Sequence, residues 1–314
     1  MKEFKAARIH NYGGAEVVRV ENTALPEPQA GELAVRVHAA GVNPVDWKIR
    51  AGYLQQMMPL PLPFTLGGDF SGVVEAVGDG VEGFRVGDEI YGQAAVFTGG
   101  SGSFAESAIV KTGNMAAKPR RLSHTEAGAL PLVGVSALQA LTEHLRVSAG
   151  QKILIHGGAG GIGSIAIQIA KHLGAYVATT VSAKDVDHVK RLGADEVIDR
   201  KSLNFEDVVR DFDAALDTVG GDTYARSFKV LKRGGRLVSL LEPPREDLMN
   251  DYGVEASVMF TQVTTDRLAK LAELVDKGVV KVNVEKTYPL GQAGEALQQL
   301  ETESPRGKVV LEMV

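Results

Sequence analysis

Six residues, Gly158-Ala159-Gly160-Gly161-Ile162-Gly163, carry the sharpest chemical signal in this chain of 314 residues. Glycines spaced G-x-G-x-x-G let a backbone turn sharply, approach a pyrophosphate closely and pack a helix against a strand. The helix that follows offers unpaired N–H groups and the positive end of its dipole to the anion. Spacing alone decides little, because 36 glycines in 314 residues give roughly half a match by chance. Gly78-Asp79-Gly80-Val81-Glu82-Gly83 is such a match. It runs into Phe84-Arg85-Val86-Gly87-Asp88, which has no helical period, and it would set Asp79 and Glu82 against a bound pyrophosphate. It reads as tight turns. The second match follows the apolar run Lys152–His156 and opens a segment in which Ile162, Ile165, Ala166, Ile169, Ala170 and Leu173 share one helical face. That context assigns a dinucleotide to Gly158, Gly160, Gly161, Ile162 and Gly163.

The end of the next strand selects the dinucleotide. NAD sites usually carry Asp or Glu about 20 residues on, bonded to the ribose 2′-OH. Here the strand ends Thr179-Thr180-Val181-Ser182-Ala183-Lys184, with Ser182 in place of the acid and a cation two residues later. Arg200, after the following strand, is a candidate for the same corner. A 2′-phosphate suits this set, so the expected cofactor is NADP(H).

The elements that must position these residues change character along the chain. The first hundred residues read as β-rich, with short runs at Leu33–Ala39, Val73–Val77, Glu89–Gly92 and Phe104–Val110 between Gly, Pro and Asp clusters. A helical pattern through Ala127–Leu141 then leads into alternating units. These are strand Lys152–His156, the glycine turn, helix, strand Tyr176–Val181, helix Asp185–Leu192, strand Glu196–Ile198, strand Ala214–Val219, helix Tyr224–Leu231 and strand Arg236–Leu241. Such βα repetition implies a parallel sheet with helices on both faces. The tail adds a strand near Ser257–Gln262, helices Asp266–Asp276 and Gly291–Leu300, and a last strand Lys308–Met313. Pro243-Pro244 marks an exposed loop.

Composition closes off other classes. Thirty-four Lys and Arg against 39 Asp and Glu give a net charge of −5, which argues against nucleic acid or an anionic membrane as the main partner. With 44% apolar and 23% charged residues the chain is that of an ordinary globular protein. There is no cysteine, hence no disulfide, thiolate ligand or cysteine nucleophile. The most apolar windows, 128–142 and 153–170, are interrupted by Pro131, His156 and Gln168, so no membrane span is expected. The expectation is a cytoplasmic protein.

The run Gly150-Gln151-Lys152-Ile153-Leu154-Ile155-His156-Gly157-Gly158-Ala159-Gly160-Gly161-Ile162-Gly163, with Gln168 and Lys171, resembles the signature of the zinc-free quinone oxidoreductase (ζ-crystallin-like) family of the medium-chain dehydrogenase/reductase superfamily. The resemblance extends over the chain. Gly41-Val42-Asn43-Pro44-Val45-Asp46 is similar to that family's entry into its active-site cleft. Leu66–Gly72 and Phe84–Asp88 are similar to its GroES-like domain, and Leu216–Gly220 and Arg306–Val310 to its cofactor domain and closing strand. The implied fold is α/β: a Rossmann doubly wound parallel sheet at 125–262 inserted into a GroES-like β-rich catalytic domain at 1–124, completed by about 263–314. The resemblance also implies cofactor contacts from Val219, Leu240 and Lys308, and a homodimer paired through the sheet edge near 257–262.

Departures from the zinc alcohol dehydrogenases matter equally. Asn43 stands where those relatives carry a catalytic Cys and Gly68 where they carry a His, while the segment between Gly92 and Phe104 is too short for a lobe bearing four Cys. The seven His (His10, His38, His124, His144, His156, His172 and His188) lack metal-ligand spacing. The expected metal is none. Without a Lewis acid, the acceptor must delocalise the charge that hydride addition creates, as quinones and α,β-unsaturated carbonyls do. The candidate catalytic residues are Asn43, as hydrogen-bond donor to the nicotinamide ribose or the acceptor, Lys48, as positive charge, and Tyr53, as proton donor. Asn43 and Ser136 are candidate cofactor contacts, and the loop Tyr53–Phe64, with Met57-Met58, is a candidate acceptor cover. The leading reading is an NADPH:quinone oxidoreductase. The alternatives are an NADPH-dependent reductase of enone, enal or enoyl C=C bonds, and a non-catalytic NADPH-binding protein.

Overall fold

The computed structural model describes residues 3–57 and 59–313, and its contacts divide the chain into two units. The first comprises residues up to Leu132, Val263–Lys277 and from Val282 onward; the second comprises Val133–Gln262 and Gly278–Lys281. Met58 lies outside the described residues.

In the first unit the long strand Glu32–Val42 organises a seven-stranded sheet. Leu33, Val35 and Val37 face the core while Arg36 faces solvent, the alternation of a strand buried on one side. It pairs antiparallel with Asp69–Val77, Ser107–Lys111 and Lys308–Glu312. The sheet continues from Asp69–Val77 through Glu89–Gln93 to Met115–Ala117. Two registers in it bear on function. Val309 lies opposite Val42, which delivers Lys308 to the neighbourhood of Asn43, and Asp69 lies opposite Gln93. A second, three-stranded sheet joins Val18–Ala24, Glu3–Ile9 and Phe64–Thr65.

Asn43 is held extended (φ −126°, ψ 153°) by the proline that follows it, and Pro44 opens the helix Pro44–Arg50, where a missing N–H costs nothing. The Gly78–Gly83 match sits in turns after Asp69–Val77. A Cβ at Gly78 would lie 1.9 Å from the Gln29 carbonyl oxygen, so this glycine serves close backbone packing.

The second unit is a six-stranded parallel sheet in the spatial order Glu196–Asp199, Tyr176–Val181, Lys152–His156, Phe212–Asp217, Leu231–Ser239, Glu255–Val258. The order reverses at Lys152–His156, the switch point beside which ligands bind in open α/β sheets. The expected α/β architecture, GroES-like β domain with Rossmann sheet, is therefore present.

Several expected elements differ in extent. The helix expected through Ala127–Leu141 is split into His124–Gly128 and Pro131–Gln139, followed by a π turn at Ala140–His144. Pro131 has no N–H for a continuous helix. The strand expected near Ser257–Gln262 lies at Glu255–Val258. Beyond it the Gln139 side chain accepts from the Gln262 N–H and donates to the Phe260 carbonyl, so these backbone groups bond to a side chain and not to a ladder. Among the described residues no helix is long and apolar enough to cross a membrane.

Candidate functional site

In the second unit the glycine turn is built against the end of the Tyr176–Val181 strand. The N–H groups of Gly157 and Gly158 both reach the Thr180 carbonyl, at 3.2 and 3.3 Å. Gly157 adopts φ +72°, a conformation side chains disfavour. A Cβ at Gly158 would fall 2.1 Å from Thr179 Oγ1, and one at Gly163 would fall 2.3 Å from the Gly157 carbonyl oxygen. Gly160 meets nothing closer than 3.4 Å and is free of that constraint. It caps the 12-residue helix Gly161–His172 without a side-chain hydrogen bond, leaving the first N–H groups to a ligand. Ile162 is in the first turn. This cradle fits a dinucleotide pyrophosphate.

Around the cradle, the Asp217 carboxylate accepts the Val219 and Gly220 N–H groups at 3.0 Å and the Ser239 hydroxyl at 2.7 Å. That knot ends the strand early, at Asp217, and turns Val219 outward, 51% exposed, where an apolar wall for a cofactor is available. Leu240 is half-buried and bonds to the Asp217 carbonyl through its N–H. Ser182 is half-buried, and Lys184 and Arg200 are exposed at the adjoining corner. The Arg200 N–H donates to the Val181 carbonyl at 2.9 Å, so sheet pairing brings the segments after both strands together. Ser136 is buried, its hydroxyl 2.6 Å from that of Thr261. His156, at the end of its strand, lies between the Thr180 and Ser227 hydroxyls, and burial pushes its pKa down to about 4. It is a neutral structural residue at physiological pH.

In the first unit a buried charge cluster surrounds Asn43, which is 1% exposed. Lys308, brought in by the Val309–Val42 register, donates to the Val42 carbonyl at 2.7 Å and to Asn43 Oδ1. Asn43 Nδ2 donates to Asp69 Oδ2 at 2.9 Å. An ammonium has only donors and a carboxylate only acceptors, so these two partners fix which way the amide points. Asp69 also accepts from Gln93 Nε2 and the Leu132 N–H, both at 3.0 Å. Asp46, from the first turn of the helix, accepts the Asn43 N–H at 2.7 Å. Lys308, a cofactor contact by the resemblance, is 5% exposed, and its ammonium provides the counter-charge that the two buried carboxylates need. Asp46 and Asp69 lie in the runs Gly41–Asp46 and Leu66–Gly72, but neither run marks them as charged partners of Asn43 and Lys308, and Gln93 stands in no motif.

Burial pushes the Asp69 carboxyl upward, against the pull of Lys308 and its three donors. Burial also lifts Asp46 to about 7, reinforced by the Asp69 charge and opposed by the Asn43 N–H and by Lys308. A carboxyl raised in the fold stabilises it below its unfolded value near 4, and this contribution is lost as pH rises through about 7. Thermal melts from pH 5 to 8 should therefore show the wild-type chain losing more stability with rising pH than Asp46→Asn, which keeps the acceptor without the charge. Parallel curves for the two proteins contradict the assignment.

These residues do not fit a zinc ion. The Asn43 oxygen is taken by a cation, Asp69 is fully bonded, and Gly68 offers no side chain. Among the described residues there is no group of three or more His, Cys, Asp or Glu able to hold a metal. Lys48, on the helix Pro44–Arg50, and Tyr53, just beyond it, meet at Trp47. The Lys48 ammonium lies 5.8 Å from the Trp47 ring and Tyr53 meets it edge-on at 5.8 Å, with Tyr53 72% exposed.

The chain matches the alcohol dehydrogenase GroES-like domain family over residues 29–120 and the zinc-binding dehydrogenase family over 192–311. It is 37% identical over 321 residues to a 2-methylene-furan-3-one reductase of Solanum lycopersicum, covering 98% of this chain and 79% of that protein. A quinone oxidoreductase from Coxiella burnetii superposes with TM-score 0.91 at 32% identity, covering all of both chains. A mycobacterial protein solved in complex with NADPH superposes with TM-score 0.88 at 31% identity, over 98% of this chain and 100% of that one.

Proposed function

This chain belongs to the medium-chain dehydrogenase/reductase superfamily, and from that premise we propose that it reduces quinones or similarly conjugated carbonyl compounds without zinc. It is an oxidoreductase of the NADPH-dependent type, and its cofactor is NADP(H). The observation that carries the acceptor class is the cluster around Asn43: a lysine ammonium and three N–H donors occupy the polar groups that zinc chemistry would need free.

NADPH, when bound, supplies the hydride. The chain's own part begins with binding. The turn at Gly157–Gly163 receives the pyrophosphate on free helix N–H groups, with Val219 and Leu240 as apolar neighbours and Ser136 as a polar one. Ser182, Lys184 and Arg200 receive the 2′-phosphate. The cluster of Asn43, Asp69 and Lys308 holds the backbone from Val42 to Pro44 rigid. Asn43 is thus a positioning residue more than a free donor. Lys48 offers positive charge to the acceptor oxygen as electrons arrive on it, and the exposed Tyr53 hydroxyl supplies a proton. The balance is one hydride and one proton added to the acceptor, giving the hydroquinone. Lys48→Ala is expected to lower kcat/KM about ten- to hundredfold, as loss of one electrostatic contact at a developing charge does, and Tyr53→Phe to lower kcat with a changed pH profile. Full activity of both variants contradicts these roles and leaves solvent as the proton source.

A second reading, reduction of an enone C=C bond, is favoured by the tomato relative, whose name describes a reductase of an exocyclic enone. The two readings share cofactor and site and separate on the acceptor turned over faster. Pairing of two copies through the sheet edge is also part of the proposal. Glu255–Val258 is the edge strand, and Phe260 beside it is 73% exposed, a costly surface for an isolated chain. Light scattering should return twice the 33.3 kDa of one chain, and a monomer mass would refute it.

A further inference from the structure

The corner assigned to the 2′-phosphate holds a negative charge that the sequence did not suggest. Strands Tyr176–Val181 and Glu196–Asp199 run parallel with Val181 opposite Asp199. This pairing sets the Asp199 carboxyl against the segment that begins at Ser182. Its Oδ1 accepts the Lys201 N–H at 3.1 Å, its Oδ2 accepts the Ser202 hydroxyl at 2.9 Å, and the Ala183 N–H is directed at it as well. The Lys201 N–H and then the Ser202 hydroxyl do most to hold this carboxyl below its ordinary value. Donors from both segments and the Lys201 charge thus make an anion corner, and one carboxylate of the chain already sits in it.

We infer that Asp199 is a specificity-determining residue of the cofactor site, replacing from the neighbouring strand the acid that Ser182 lacks. Its carboxylate tolerates an unmodified ribose and opposes the 2′-phosphate that Lys184 and Arg200 attract. The chain then carries both recognition chemistries in one corner and discriminates between the two nicotinamide dinucleotides less than its cations alone would make it do. The inference rests on the NADP(H) site described above.

The test uses the full chain and two fragment probes, 2′,5′-ADP and ADP, titrated calorimetrically without nicotinamide or acceptor. Asp199→Asn keeps acceptor atoms for the Lys201 and Ser202 donors and removes the charge. It should tighten 2′,5′-ADP about tenfold, the size expected for removing an exposed like-charge contact, and weaken ADP by no more than about threefold, because the amide oxygen still accepts from the ribose 2′-hydroxyl. The gain should shrink as salt is raised. An unchanged or weakened 2′,5′-ADP affinity in Asp199→Asn overturns the inference, since the carboxylate then only folds its turn. Asp199→Ala separates the cases further. A gain like that of Asn supports the charge as the cause, and a ratio altered in Ala alone overturns it. Failure of the underlying reading looks different: wild-type chain binding both probes equally, with Lys184→Ala without effect.

Discussion

Gly163→Ala should weaken NADPH binding about ten- to hundredfold and also lower the melting temperature of the cofactor-free protein. The added methyl would lie 2.3 Å from the Gly157 carbonyl oxygen and 2.7 Å from Gly158 Cα, both backbone atoms of the turn itself. Backbone has no alternative rotamer, so the turn or the helix must move. Overpacking of this kind costs about 1–3 kcal/mol, and each 1.4 kcal/mol is tenfold in affinity. Gly160→Ala supplies the contrast. Its methyl meets nothing closer than 3.4 Å and its φ is −76°, so the fold should tolerate it. Any loss of NADPH affinity there then reports close approach of the ligand to the backbone, not damage to the turn. Fluorescence titration with NADPH and melts of both variants separate the two effects. Equal, small effects on melting at both positions contradict the account of the turn.

The second large effect is expected at Lys308. Lys308→Met leaves Asp69 and Asp46, both buried, without their cation. Breaking a buried charge cluster by removing one partner costs about 3–5 kcal/mol. In a unit of this size that is a fall of roughly 10 °C in its melting temperature. Pairing it with Asp69→Asn should recover part of the loss, because the uncompensated charge disappears, whereas the two changes made independently would otherwise add. The Asn43 amide also loses the partner that fixes its oxygen, so the surviving protein should lose kcat as well as stability. A double variant that melts lower than the sum of the single losses contradicts the coupling.

What the sequence revealed and what it concealed divide along a physical line. The strand Lys152–His156, the glycine turn and the helix Gly161–His172 were legible because strand, turn and 3.6-residue period agree within a window of about 20 residues. The decoy at Gly78–Gly83 was rejected on the same grounds, and its glycines indeed serve turns and a close approach to Gln29. By contrast, the strands Glu3–Ile9, Val18–Ala24 and Val284–Pro289 interleave charged residues with apolar ones and carry no clear strand signal. The charge cluster was invisible for a different reason. Asn43 and Lys308 are 265 residues apart, and only the pairing of the last strand with Glu32–Val42 joins them. Asp46 and Asp69 stand inside the runs Gly41–Asp46 and Leu66–Gly72 that carry the resemblance, but nothing in either run tells that its carboxylate is buried or which cation it faces. Asp199 was likewise concealed, since its relation to Ser182 exists only through the parallel register of two strands.

In the proposed function this chain passes hydride from NADPH to an acceptor that disperses its own charge, with no metal to do it. The most direct measurement follows NADPH oxidation with a 1,4-quinone, an α,β-unsaturated ketone and its saturated counterpart under identical conditions, with and without a strong chelator. Turnover of at least one conjugated acceptor, silence with the saturated ketone and indifference to the chelator are the predicted result. Turnover of the saturated ketone, or activity abolished by the chelator and restored by zinc, would contradict it.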